Sequence, residues 1–205
     1  DGAYLSSGFV CYKGMPVAEA DDLDFRGRER EDLLAAVAVA AEKGISFYTI
    51  ASALHTFKRP DFRRKACGEV RGVSVFNDSK ATNVFSTVSA AESMDGDTVL
   101  ILGGADRGEN FAELFDKLPS KVKGAVATGE NADKIIAAAR EKGFLRISES
   151  PDIFDACADG VDLGHELDWG NVLFSPSSKS YDNYTSYAER ARAFDAAVRR
   201  MMIEK

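Results

Sequence analysis

The sequence predicts an α/β protein: a doubly wound, mostly parallel, Rossmann-like sheet preceded by a smaller α+β piece. Three observations carry this. From Glu69 onward the short runs VSVF, TVLIL, GAVAT, FLRI and NVLF are each followed by a segment of helical periodicity. These runs lack polar alternation, as strands buried on both faces of a parallel sheet must. Glycine and polar residues then gather after each run, on the edge where open α/β sheets place their ligands.

Taken in order, Tyr4 to Tyr12 reads as strand, turn and strand. EREDLLAAVAVAAEKG is an amphipathic helix closed by Gly44, and Ser46 can cap a second helix running to about Phe57. KRPDFRRK, with five basic residues around Pro60, marks a linker or hinge. Beyond it come VSVF and a helix from Thr82 to about Met94, TVLIL and FAELFDKL, then GAVAT and NADKIIAAAREKG. FLRI is the weakest strand and precedes PDIFDACADGV; NVLF precedes a long helix from about Asp182 to Met202. The expected division is 1–60 for the first piece, 61–71 for the hinge and 72–205 for the sheet domain.

The chain has 205 residues, 45% hydrophobic and 10% aromatic, enough for a real core. A net charge of -7 excludes a general affinity for nucleic acid or an anionic membrane, which needs a basic face. Cys11, Cys67 and Cys157 lie far apart, and with His55 and His165 they form no zinc-ligand spacing, so no metal site is expected. LLAAVAVAA is too short to span a bilayer and no signal peptide opens the chain, so a soluble cytoplasmic protein is expected. The start at Asp1, directly before a strand, suggests a piece of something longer. His55 falls in a helix as a packing or surface residue, and Trp169 is expected to be a lid on the core.

NDSKATN, from Asn77 to Asn83, is the most informative stretch. Loop and cap preferences account for Asp78 and Ser79, but Lys80 is unfavourable beside a helix N-terminus unless an anion offsets it. Lys80, Arg107 and Lys179 come from three strand ends and could converge on phosphate and carboxylate groups. Ser79, Thr82, Ser177, Ser178 and Ser180 could supply hydroxyls there. Taken singly, each cation is more often a solvated surface charge. The chain has no G-x-S-x-G, no H-E-x-x-H and no G-x-x-x-x-G-K-[ST], and the glycines of GGADRG are wrongly spaced for a dinucleotide fingerprint.

NDSKATN, LILGGADRGENF and FSPSSKSYDNYTSYAERARAF, in this order, resemble the carboxy-terminal domain of the Mur ligases, in their D-glutamate-adding branch. The likeness runs from about Gly72 to Phe194, and the earlier part is similar to the tail of that family's central ATPase domain, with Gly27 and LLAAVAVAA matching its glycine and alanine-rich helix. The resemblance implies an ATP-dependent, amide-forming ligase of peptidoglycan synthesis that phosphorylates a carboxyl group and lets D-glutamate attack the acyl phosphate. It implies ATP and Mg as cofactors, bound mainly by domains that would precede Asp1, and D-glutamate and UDP-N-acetylmuramoyl-L-alanine as partners of a monomer. Lys80 would be catalytic; Arg63, Asp78 and Lys80 would approach the nucleotide; Thr82, Arg107, Ser180, Tyr181 and Tyr187 would hold the amino acid. Arg107 stands for a lysine and Tyr187 for a phenylalanine in the family pattern. GRERED and Leu33, with Glu29 and Arg30, replace residues expected near adenine, and Phe62 replaces a histidine.

Two functions are therefore open. One is the carboxy-terminal part of the D-glutamate-adding ligase, inactive alone for want of the phosphate loop. The other is a non-catalytic module that binds an acidic amino acid. A nicotinamide oxidoreductase domain keeps little weight because the glycine spacing is wrong.

Overall fold

In the computed structural model, which describes residues 2–23, 25, 27, 29–167 and 170–203, the chain divides into two compact units, residues 1–59 and 60–205. The expectation for Trp169 lies outside the described residues.

In the first unit β1 (Ala3–Ser6), β2 (Phe9–Tyr12) and β3 (Met15–Glu19) form an antiparallel meander. Its two-residue turns, Ser7–Gly8 and Lys13–Gly14, hold both φ angles positive, as tight hairpins on a right-twisted sheet require. The third strand, beyond Lys13–Gly14, was not anticipated from the sequence. Helix α1 (Glu29–Glu42) buries Leu33 and Val37, four residues apart. Gly44, at φ 78°, follows its end, and the Ser46 hydroxyl accepts the Thr49 N–H to start α2 (Phe47–Thr56). Val10, Tyr12, Val17, Leu33, Val37 and Ile50 are the centre of this unit's core.

The second unit is built on a six-stranded sheet of β4 (Lys65–Val70), β5 (Val73–Asn77), β6 (Thr98–Leu102), β7 (Val122–Ala127), β8 (Ile147–Glu149) and β9 (Asn171–Phe174). Their order is β4-β5-β9-β6-β7-β8, with β4 antiparallel to β5 and every other pairing parallel. Strand β4 lies inside the 61–71 segment set aside above as a hinge. Its exposed residues and its bulge between Ala66 and Gly68 are those of a sheet edge, and they hid it from a search for apolar runs. The weak fourth strand starts only at Ile147, the last residue of FLRI, and runs to Glu149.

Side chains alternate across the sheet. Val99 and Ile101 face one way, packed with Ile153, Ala156 and Val161 of α6 (Ile153–Glu166) and Phe194 and Val198 of α7 (Tyr187–Ile203). Leu100 and Leu102 face the other way, packed with α3 (Val84–Glu92), α4 (Phe111–Lys117) and α5 (Ala132–Glu141). Both faces are dry, which explains why TVLIL, entirely buried, shows no alternation. Phe174 and Phe194 stack with centroids 4.5 Å apart in the middle of the first core; such pairs contribute about 0.5–1.5 kcal/mol beyond their buried area.

Two helix starts differ from expectation. Asn83, not Thr82, caps α3, its side chain accepting the Ser86 N–H. Helix α7 begins at Tyr187 and not near Asp182, because Glu189 bonds back to the amide and hydroxyl of Thr185 and leaves 182–186 as a loop. No helix among the described residues is long and apolar enough to cross a membrane.

Candidate functional site

Because β5, β9 and β6 are adjacent and parallel, their carboxyl ends share one edge, and the loops that follow them are brought side by side. These are residues 78–83, 175–186 and 103–110. The chain visits β6, β7 and β8 before β9 returns between β5 and β6, which is the kind of topological switch where doubly wound sheets open a crevice.

The loop after β5 is clamped to the segment before β4. Lys80 N donates to Phe62 O at 3.2 Å, and Arg64 N donates to Asp78 Oδ1 at 3.1 Å. Phe62 and Arg64 hold positive φ angles of 62° and 44°, a strained conformation on either side of Arg63. The clamp sets Arg63, Asp78 and Lys80 together at the edge. Arg63 is exposed and Lys80 half-buried. The Lys80 ammonium lies 5.6 Å from the centroid of the Tyr187 ring, so Tyr187 belongs with Lys80.

Asp78 is 5% exposed, and both its oxygens are engaged, Oδ2 accepting the Ser175 hydroxyl at 2.9 Å. Burial pushes its carboxyl up to about 6 from 3.8, against the hydrogen bonds from Ser175 and the Arg64 amide and the charges of Arg63 and Arg64. A carboxyl with a raised folded pKa holds its proton more tightly folded than unfolded. Its contribution therefore favours the folded state at low pH and is lost as pH rises from about 4 through 6. Asp78→Asn removes that titration. Urea unfolding at pH 4 and pH 7.5 is expected to show the variant gaining up to about 3 kcal/mol on the wild type between the two, at about 1.4 kcal/mol per pH unit. A difference that does not change with pH would remove Asp78 as its source.

Thr82 is half-buried in the turn before α3, and Arg107 is exposed, its amide held by Glu109 Oε2 at 2.9 Å. Ala105 N donates to Lys179 O at 2.8 Å, which pairs the loops carrying Arg107 and Ser180. Tyr181 is 60% exposed. Ser180 is 2% exposed, and its carbonyl accepts the Tyr184 N–H at 3.0 Å.

The other hydroxyls expected to face a guest turn inward. Ser178 Oγ accepts from Asn131 Nδ2 at 2.8 Å, and Ser79 Oγ donates to Tyr187 O at 2.9 Å. Ser177 is fully buried at φ 59°, with no partner for its hydroxyl among the described residues. They shape the loops and do not line the edge. Asn77 likewise pins α7, donating to Ala191 O and to Asp195 Oδ1 at 2.9 and 2.7 Å.

Sequence reasoning missed Arg190. It is 2% exposed and reaches the loops after β5, β9 and β6 at once. Nε donates to Ser79 Oγ at 3.1 Å, Nη2 to Ser79 O and Ser178 O at 3.0 Å each, and Nη1 to Gly103 O at 3.4 Å. Burial draws its guanidinium down to about 10, still charged at neutral pH. Its signal was its place in the apolar stripe with Phe194, Ala197 and Val198, four, seven and eight positions on, but an arginine there is easily read as part of a solvated face. Beside it, a cleft of about 320 Å³ opens among Gly104, Gly129, Asp152, Asp182 and Tyr184.

Arg63 and Lys80 fit an anionic phosphate. A metal ion is not fitted: Asp78 is already satisfied, and no group of three or more His, Cys, Asp or Glu among the described residues could hold one.

A protein-family model described as Mur ligase, glutamate ligase domain, matches residues 62–202. A UDP-N-acetylmuramoylalanine--D-glutamate ligase of Streptococcus agalactiae is 35% identical over 196 residues, covering 95% of this chain and 43% of that protein. That of Ligilactobacillus salivarius is 33% identical over 205 residues, 100% of this chain and 44% of its own length. The chain thus spans less than half the length of these relatives. Among solved structures, folylpolyglutamate synthase of Mycobacterium tuberculosis superposes with a TM-score of 0.64 at 16% identity, over 94% of this chain and 46% of that one. MurF from Acinetobacter baumannii does so at 0.62 and 17% identity, over 99% and 44%. At such identities these two show the fold alone.

Proposed function

This chain belongs to the Mur ligase family, through its glutamate ligase domain, and on that premise we propose that it is the carboxy-terminal part of an ATP-dependent ligase. The ligase adds D-glutamate to UDP-N-acetylmuramoyl-L-alanine, through an acyl phosphate, in the synthesis of peptidoglycan precursors. What supports this most is the clamp of residues 62–64 onto 78–80, which gathers Arg63, Asp78 and Lys80 on the edge that also carries Thr82, Arg107 and Tyr181.

ATP supplies the phosphoryl group, and in this reading Arg63 and Lys80 lie against its phosphates. Lys80 also offsets the negative charge that builds as the amine attacks the acyl phosphate, where a fixed cation counts most. Asp78 holds the Lys80 loop in register through its bonds to Arg64 and Ser175. Arg107 and Thr82 take the D-glutamate carboxylates, and the Tyr181 amide and Tyr187 close the pocket. Ser180, being buried, joins them once the loop 175–186 moves on binding. No group of three or more possible metal ligands is found among the described residues, and in this reading the residues that hold Mg, like the phosphate loop, lie in the rest of the ligase. The reaction is cytoplasmic, and the chain by itself is inactive.

The test is an amide-resolved NMR titration of the chain with D-glutamate. Millimolar D-glutamate is expected to shift Thr82, Arg107 and Tyr181, with L-glutamate and succinate weaker. No shift, or equal shifts with every dianion, would sink the substrate assignment. Binding without any ATP turnover by the ligase of full length would favour the non-catalytic module, for which Phe62 and Leu33 in place of the family's residues already speak.

A further inference from the structure

Burying a guanidinium is costly unless its donors are met, and apolar packing could fill the space beneath α7 at lower cost. Among the described residues no hydrogen bond of Arg190 goes to a carboxylate; all go to the carbonyls of Ser79, Gly103 and Ser178 and the hydroxyl of Ser79. Those acceptors lie one residue before Lys80, four before Arg107 and two before Ser180. The planar fork of an arginine is what can span three separate loops in fixed directions; an ammonium on a flexible stem cannot. Phe174, whose ring centroid lies 5.8 Å from the guanidinium carbon, fixes the plane from below.

We infer that Arg190 is the positioning residue of this edge: it ties the three strand-end loops together and so sets the spacing of Lys80, Arg107 and Ser180 around an anionic guest. It touches no reacting atom and acts through Ser79, Gly103 and Ser178. The role assigned to the guest rests on the function proposed above; the tie between the loops does not.

Amide hydrogen exchange on the chain, wild type against Arg190→Lys, separates the two. Three amides report the loops: Ala81 N–H on Asp78 O, Ala105 N–H on Lys179 O and Tyr184 N–H on Ser180 O. In the variant each is expected to exchange about tenfold faster or more, while Leu100 and Ile101 in the central strand change less than about twofold. An equal acceleration everywhere would mean that Arg190 merely stabilises the fold, and no acceleration would mean that the loops hold without it; either overturns the inference. Should Arg190→Lys fail to fold, Ser79→Ala, which removes the acceptor of Nε together with the hydroxyl's own bond to Tyr187 O, decides: faster exchange at Ala81 with Leu100 unchanged supports the tie through Ser79, and unchanged exchange at Ala81 refutes it. In the D-glutamate titration Arg190→Lys is expected to weaken binding about tenfold. A wild type blind to D-glutamate would remove the proposed substrate and leave the exchange result standing.

Discussion

Replacing Lys80 by alanine in the ligase of full length is expected to lower its turnover by on the order of 10²–10³-fold, the loss seen when one preorganised charge-stabilising group is removed from a transition state. The KM for D-glutamate should move far less, because the ammonium is wanted most when negative charge develops and not when the amino acid arrives. The local structure favours a clean loss. The backbone of Lys80 is held by Phe62 O, and its side chain lies over the Tyr187 ring without a salt bridge to any carboxylate among the described residues. The alanine variant therefore leaves no buried charge unpaired. Lys80→Arg keeps the charge but spreads it over a wider, planar group, so partial recovery is expected. Steady-state kinetics with varied D-glutamate decides, and an unchanged turnover removes Lys80 from the chemistry.

The largest effect on stability is expected at Gly103, the first glycine after β6. It sits at φ 124°, and a Cβ built there would overlap the carbonyl of Thr128, the first residue after β7. Its N–H is committed to Pro176 O at 2.8 Å and its carbonyl to Arg190, so the backbone cannot turn away without losing both. Gly103→Ala combines strain in a region that L-residues avoid with overpacking against backbone, together on the order of 4 kcal/mol. Gly143→Ala is the control. It shares a positive φ, 75°, but has nothing within 4 Å of the added methyl, and should cost about 1 kcal/mol. Equal midpoints in urea unfolding for the two variants would show that the contact with Thr128 relaxes freely.

Both residues came from motifs visible without coordinates, whereas Arg190 did not, and the difference has a cause. A glycine pair after an apolar run, or a lysine after a strand, is a local departure from what turns and caps need. Arg190 lies in YAERARAF beside Glu189 and one other arginine, and what separates it from Arg192 is burial beneath loops that follow β5, β6 and β9. The inward turn of Ser177 and Ser178 was invisible for the same reason: a run of hydroxyl residues reads alike whether it lines an edge or braces it. Strand β4 escaped because an edge strand with exposed residues and a bulge carries neither an apolar run nor clean alternation.

By itself the sequence determined the alternation of strands and helices, the Ser46 cap and the stop at Gly44, the dry parallel sheet, and the loops in which chemistry could reside. Each of these is legible in patterns among residues a few positions apart. Tertiary structure alone decided that β9 inserts between β5 and β6, that Phe62 and Arg64, on either side of Arg63, are clamped to Lys80 and Asp78, and that one buried guanidinium holds three loops. Those facts depend on pairings between distant segments, whose free energy comes from burial and hydrogen bonding that no local pattern of residues encodes.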